Sequence, residues 1–148
     1  MAKFSFRLQS ILNLKIRLED QQRNAFAAAK RALDEEEDKL NMLYSRLDSY
    51  EEEGRRLRDE TLVIRDLIDN EHAISLVKDY IEDQKAQVRL AEARLEDERL
   101  KLVEMIKERQ TYEKLREKAF EEFLETEKHE ESVANDEHNS FVYKVRTT

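Results

Sequence analysis

Apolar residues recur at alternating steps of three and four residues along almost the whole chain. One series runs through Leu40, Leu43, Leu47, Tyr50, Gly54, Leu57, Thr61, Ile64 and Ile68. A second runs through Ile74, Val77, Ile81, Gln84, Val88, Ala91, Leu95, Glu98 and Leu102. A heptad repeat sustained over this length is typical of the seam of a coiled coil, not of a short globular helix.

The two series are separated by a short polar break at Asp69-Asn70-Glu71-His72. Asp and Asn bond to nearby backbone and favour turns, and a short helix-helix connection places the two helices antiparallel. The pattern therefore predicts an all-α fold, a long two-helix antiparallel coiled-coil hairpin forming a single domain over 1–148. We expect one helix over about 4–68, the turn at 69–72, a second helix over about 73–139 and a frayed C-terminal tail.

The turn position predicts which residues face each other. If the chain reverses near Glu71, opposed residues have numbers that add to about 142. This pairing places Glu36 near Arg109 and Lys15 near Glu127. Closer to the N-terminus the seam is assigned to Leu8, Ile11, Lys15, Leu18, Gln22, Ala25, Ala29 and Ala32. It joins the later series at Leu33 through a four-residue slip, which predicts a stutter that locally unwinds the supercoil.

Gly54 is the only glycine, and it falls on the seam. Glycine within a helix costs about 1 kcal/mol relative to alanine. It marks either a hinge or a place where a partner side chain approaches closely, and we favour the close approach.

Composition narrows the class of protein. The chain is 42% charged, has a formal net charge of −8, and contains no Pro, Cys or Trp. An acidic chain lacks the basic face that phosphate contacts need, so nucleic acid is not an expected partner. Without cysteine there is neither a disulfide nor a thiolate metal site. The apolar runs are too short for a membrane span, and we expect a cytoplasmic protein.

Catalytic motifs are lacking in the sequence. A Gly-rich phosphate loop is not possible with Gly54 alone, and His129-Glu130-Glu131 lacks the second histidine of a zinc-protease motif. We therefore predict no cofactor, no metal and no enzyme activity, and interpret the chain as an interaction protein.

Three segments resemble one known family. The opening Lys3-Phe4-Ser5-Phe6-Arg7-Leu8-Gln9-Ser10-Ile11-Leu12 is similar to the start of the flagellar export protein FliJ. Tyr112-Glu113-Lys114-Leu115-Arg116-Glu117-Lys118-Ala119-Phe120 resembles that family's second motif, and Tyr80-Ile81 followed by Val88 resembles a third. Gln84 departs from the family, whose members tend to carry an apolar residue there.

The resemblance implies a coiled-coil stalk of the type III export apparatus of the bacterial flagellum. Such a stalk enters the ring of the export ATPase, stimulates it and links it to the export gate protein, and some members also handle export chaperones. It implies a location at the cytoplasmic face of the inner membrane, with the membrane reached only through partners.

The same resemblance suggests two partner-binding surfaces. Candidates for the ATPase end are Phe4, Phe6, Leu8, Leu12, Phe120, Phe123 and Leu124. Candidates for the gate end are Leu47, Tyr50, Tyr80 and Ile81. The alternative for each of them is packing in the seam.

Other functions stay open at this point. One is the equivalent stalk of a virulence-type secretion system, and another is a structural coiled coil that dimerises along its whole length. A third is a peripheral membrane binder whose N-terminal helix carries basic residues among apolar ones, namely Lys3, Arg7, Lys15 and Arg17. Glu19 and Asp20, which follow at once, weigh against that last reading.

Overall fold

The computed structural model describes residues 2–60 and 63–147. It contains two helices, α1 (Gln9–Asp59, 51 residues) and α2 (Ile64–Thr147, 84 residues), and no strand among the described residues. Arg56 and Arg58 lie in the last turn of α1, and Asp66 lies in the first turn of α2. The basic side chains complement the partial negative charge at the C-terminal end of α1, and the acidic side chain complements the partial positive charge at the N-terminal end of α2. In the described ranges no helix is long and apolar enough to cross a membrane.

The predicted fold class is confirmed, because two long helices pack against each other as a helical hairpin. The predicted turn is wrong. Residues 69–72 lie within α2, and the interruption between the helices falls between Asp59 and Ile64. The side chain of Asn70 explains the error, because its Nδ2 donates to the carbonyl of Tyr50 on α1 (2.9 Å). Asn70 belongs to a polar layer in the seam, and its polar neighbours Asp69, Glu71 and His72 lie on the exposed face of α2.

The other predicted helix ends also shift. α1 begins at Gln9 instead of near residue 4, and α2 continues to Thr147 instead of ending near residue 139. The chain divides into two compact units, a terminal unit (Met1–Gln21 and Val103–Thr148) and a hairpin unit (Gln22–Leu102). The expectation of a single domain stays a prediction.

In the hairpin unit the α2 seam follows the predicted heptads. Val77, Ile81, Val88 and Ala91 are between 4% and 9% exposed. The series extends four residues further toward the start of α2, to Asn70, which is buried and 6% exposed. Burial of apolar surface at this seam is the main favourable contribution to the hairpin.

The α1 seam keeps one heptad phase, and the predicted four-residue slip is wrong. One uninterrupted series of buried and half-buried positions runs through Leu12, Lys15, Glu19, Gln22, Phe26, Ala29, Leu33, Glu36, Leu40, Leu43, Leu47, Tyr50, Gly54 and Leu57. Leu18 and Ala25, also assigned to the seam from sequence, are half-buried beside this series. Ile11 and Ala32, assigned to the seam from sequence, are exposed. The charge of Glu19 hid the true phase, although this residue is only 4% exposed.

Three amide side chains cross the seam of the hairpin unit. Gln22 donates to the carbonyl oxygen and carboxylate of Glu98. Gln84 donates to the carbonyl oxygen and carboxylate of Glu36. Together with the bond from Asn70 to Tyr50, they fix an antiparallel register in which opposed residue numbers add to about 120.

Ion pairs cross the seam of the terminal unit. Glu19 binds Arg109, which also binds Glu113 (2.8 Å), and Lys15 Nζ lies 3.0 Å from Glu108. The predicted pairings of Glu36 with Arg109 and of Lys15 with Glu127 are therefore wrong. Both followed from the misplaced turn, which shifted the expected register.

Candidate partner-binding surfaces

Three phenylalanine rings form a cluster in the terminal unit, and the sequence predicted all three as candidates. Phe4 packs edge-on against Phe120, with ring centroids 5.1 Å apart, and its centroid lies 5.4 Å from that of Phe123. Phe120 and Phe123 stack at 6.4 Å. Offset and edge-to-face contacts of this kind add to the apolar burial of the rings. The cluster joins the segment before α1 to α2.

Hydrogen bonds hold the segment that carries Phe4. The backbone N–H of Gln9 donates to the carbonyl of Phe6 (3.1 Å), which starts α1 directly behind the aromatic residues. Arg116 of α2 donates to the side chain of Gln9 (2.8 Å), and its guanidinium lies 5.4 Å from the centroid of Phe4. A cation over a ring face is attracted to it, so Arg116 positions both the helix start and the ring.

Part of this cluster faces solvent. Phe120 is 41% exposed and Leu124 is 50% exposed, whereas Phe4 and Phe123 are half-buried. Phe6 and Leu8 are also half-buried. Leu12 is 3% exposed, so it is a core residue and the packing alternative holds for it. The terminal aromatic surface, defined here as Phe4, Phe120, Phe123 and Leu124, is what remains of the predicted ATPase end.

The residues predicted for the gate end separate into core and surface. Ile81 is 4% exposed, and Leu47 and Tyr50 are half-buried on the seam. Only Tyr80 is substantially exposed, at 49%. These residues also lie away from the connection between the helices, because the chain reverses after Asp59. The structure does not group them into one surface at a tip.

An exposed apolar residue that the sequence interpretation missed lies beside Tyr80. Leu76, one helical turn before Tyr80 on α2, is 52% exposed. Its signal in the sequence was that it is large, apolar and off the heptad seam. Tyr44 on α1 is 39% exposed, but it interacts with Lys85, which lies on the other side of α2 from Leu76 because nine residues turn a helix by about two and a half turns. We call Leu76 and Tyr80 the mid-hairpin surface.

Further exposed apolar side chains mark the start of α2 and its last turns. Val63, Ile64 and Ile68 are between 48% and 67% exposed, although Ile64 and Ile68 were assigned from sequence to the seam of the first helix. Thr61, assigned to the same seam, lies outside the described residues. Near the end of α2, Phe141 and Tyr143 are 66% and 70% exposed.

The charged groups beside these surfaces are stabilised in their ionised forms. The hydrogen bonds that Glu19 and then Glu113 accept raise the pKa of Arg109. A hydrogen bond to Glu82, followed by the charge of that residue, raises the pKa of Lys85, and Tyr44 acts in the same direction. In the part of the chain that the structure describes, no group of three His, Asp or Glu side chains could hold a metal ion.

Two long helices that pack antiparallel through heptad seams, with apolar and aromatic side chains left on the surface, define a coiled-coil hairpin protein. The chain belongs to the FliJ family, since the family model described as flagellar FliJ protein matches residues 4–148. The resemblance inferred from the three sequence segments is thus confirmed, and the protein is of a family of structural components of flagellar type III export.

The fold has a counterpart among solved structures. A protein of Chlamydia trachomatis described as a putative YscO homolog superposes with a TM-score of 0.73 at 19% identity, with 98% of each chain covered. At this identity the likeness establishes a shared fold. A comparison with curated proteins gave no match.

Proposed function

We propose that this protein is a non-enzymatic stalk of the flagellar type III export apparatus that inserts into the export ATPase ring and stimulates ATP hydrolysis. The observation that carries the proposal is the terminal aromatic surface on a chain that matches the FliJ family over residues 4–148. Aromatic side chains with one buried and one exposed edge are typical anchors of protein interfaces.

The proposal assigns the second contact to the mid-hairpin surface. Leu76 and Tyr80 are exposed apolar residues beyond those that the seam requires. They would bind the export gate protein, so that one chain links the ATPase to the gate. Export chaperones are further proposed partners, on the family resemblance alone. The site of action would be the cytoplasmic face of the inner membrane, reached through these partners.

A pull-down with the export ATPase of the same organism, coupled to an ATP hydrolysis assay, tests the first contact. The wild-type protein should bind and raise the hydrolysis rate. Phe120→Ser combined with Leu124→Ser should weaken both effects, because these side chains supply the exposed part of the surface. The matched control is Leu100→Ser, which removes an equally exposed leucine from the hairpin unit and should change neither.

Circular dichroism of the same variants separates binding from folding. Phe120→Ser and Leu124→Ser should leave helix content intact, and a collapse of helicity would show that the cluster is core. Wild-type protein that neither binds nor stimulates the ATPase would contradict the proposal. The virulence-type ATPase would then be tested in the same assay, since the fold is shared with a protein described as a YscO homolog.

Tyr80→Ala tests the second contact. Tyr80 is 49% exposed while its neighbour Ile81 is 4% exposed. Tyr80→Ala should therefore weaken binding to the cytoplasmic part of the gate protein without lowering the melting temperature. Ile81→Ala should lower the melting temperature, with a loss of about 2–5 kcal/mol of unfolding free energy. Equal gate binding by wild type and Tyr80→Ala would remove this residue from the proposed surface.

A further inference from the structure

The three amide contacts of the hairpin unit are evenly spaced. The contacts pair Gln22 with Glu98, Glu36 with Gln84, and Tyr50 with Asn70. The first residue of each pair lies on α1 and the second on α2. Successive members lie two heptads apart on each helix. Polar layers therefore recur at every second heptad along one side of the seam.

The layers between them are apolar in the same register. Ala29 opposes Ala91, which is 8% exposed, and Leu43 opposes Val77, which is 4% exposed. Taken at one position per heptad, the layers run Gln22–Glu98, Ala29–Ala91, Glu36–Gln84, Leu43–Val77 and Tyr50–Asn70. Polar and apolar layers alternate in this row, and apolar pairs such as Leu40–Ile81 lie between its members.

We propose that these alternating layers are a register lock, which holds the two helices of the hairpin unit in one axial alignment. If the helices slip by one heptad, Gln84 faces Ala29 or Leu43 and Gln22 faces Ala91 or Met105. Each amide then loses its acceptor inside the seam, and a buried amide without a partner is costly.

A slip by two heptads restores only part of the polar pairing. In one direction Gln22 faces Gln84 and Glu36 faces Asn70, but Glu98 is left opposite Leu8. In the other direction Glu36 faces Glu98, which brings two carboxylates together. Only the observed alignment gives each of these carboxylates an amide donor. A polar residue at a seam position is known to specify register in coiled coils at a cost in stability.

The chain has no cysteine of its own, so spin labels attach only to cysteines that are introduced by mutation. Ser49→Cys and Arg89→Cys place labels at two exposed sites on opposite helices. From the register they are offset by roughly 27 Å along the axis, and a one-heptad slip changes that offset by about 10 Å. Pulsed electron paramagnetic resonance distinguishes these distances.

The short connection between the helices also restrains slipping, so the measurement is made with a flexible Gly/Ser linker of about twelve residues inserted between residues 62 and 63. With the native layers, we expect one distance, unchanged from that of the protein without the insert. Replacing Gln22, Glu36, Asn70, Gln84 and Glu98 by leucine should add a second distance shifted by about 10 Å, while the melting temperature rises or stays constant.

Exchanging the partners gives the matched control. Gln22→Glu, Glu98→Gln, Glu36→Gln and Gln84→Glu together keep one amide and one carboxylate in each layer, and should keep the single distance. The proposal is overturned if the native layers give several distances in the extended-linker protein. It is equally overturned if the five-leucine variant keeps the single native distance.

Discussion

The Oδ1 atom of Asn70 lies 2.5 Å from the position that a Cβ atom would occupy on Gly54. The one glycine of the chain is therefore where an α2 side chain enters the α1 surface. This confirms that Gly54 marks a close approach, as the sequence interpretation favoured. Among the described residues no donor reaches Oδ1 of Asn70, which is buried against Gly54, while Nδ2 donates to Tyr50.

Gly54→Ala should destabilise the protein even though alanine favours a helix by about 1 kcal/mol. The added methyl group meets a buried side chain, and overpacking typically costs about 1–3 kcal/mol. In the Asn70→Ala background the same substitution should become stabilising, because the obstructing atom is gone. Urea denaturation of the four proteins checks this, and a stabilising effect of Gly54→Ala alone would contradict it.

Arg109→Leu should destabilise the protein through the charge it leaves behind. Glu19 is 4% exposed and pairs with Arg109, whose side chain is 23% exposed. Breaking a fully buried pair costs about 3–5 kcal/mol, and we expect less here because Arg109 reaches solvent. Glu19→Leu with Arg109→Leu should recover most of the loss.

The control for Arg109 is Arg99→Leu, which removes an exposed pair with Glu96 (2.7 Å). Exposed pairs contribute about 0–1 kcal/mol. Thermal denaturation of the three variants distinguishes the two sites, and equal losses for Arg99→Leu and Arg109→Leu would contradict a special role for the buried pair.

Stability should fall in acid through the carboxylates of the polar layers. The hydrogen bond from Gln84 lowers the pKa of Glu36 below its ordinary value of 4.5, and that from Gln22 does the same for Glu98. A lowered pKa in the folded state gives stability that is present above pH 4.5 and is lost as the pH falls through the folded value. Urea midpoints measured between pH 7 and pH 3 should therefore decrease.

The matched comparison for this pH dependence is Gln22→Leu with Gln84→Leu, which removes both donors. The slope of stability against pH below 4.5 should become shallower in this variant. Carboxyl chemical shifts of Glu36 and Glu98 report the same change residue by residue. An unchanged slope would show that other carboxylates dominate the acid response.

Leu43→Asp should unfold much of the hairpin unit. Leu43 lies on the seam opposite Val77, which is 4% exposed, so an aspartate there would be desolvated without a partner. We expect a loss of about 3 kcal/mol or more. Its neighbour Met42 is 66% exposed, and Met42→Asp should leave the melting temperature nearly unchanged. Similar melting temperatures for both variants would contradict the observed seam.

The aromatic candidates show how far sequence reasoning reached toward the surfaces. Phe4, Phe120 and Phe123 were predicted together and form one cluster, because aromatic residues beyond the needs of the seam are visible in the pattern. Leu12 and Ile81 were predicted at the surface and are core. For these two residues the pattern was ambiguous, because a buried seam position and an exposed partner-binding position can both carry leucine or isoleucine.

The heptad pattern by itself determined that the protein is all-α, that two long helices pair through a seam, and which α2 residues are buried. Periodicity suffices for this because it fixes which side of a helix is apolar. It did not determine where the chain reverses or which residues face each other. Those depended on where polar side chains find their partners. Asn70 donates to Tyr50 across the seam instead of to its own backbone, and Glu19 is buried because Arg109 faces it. Such pairing exists only between packed helices, so only the tertiary structure could decide it.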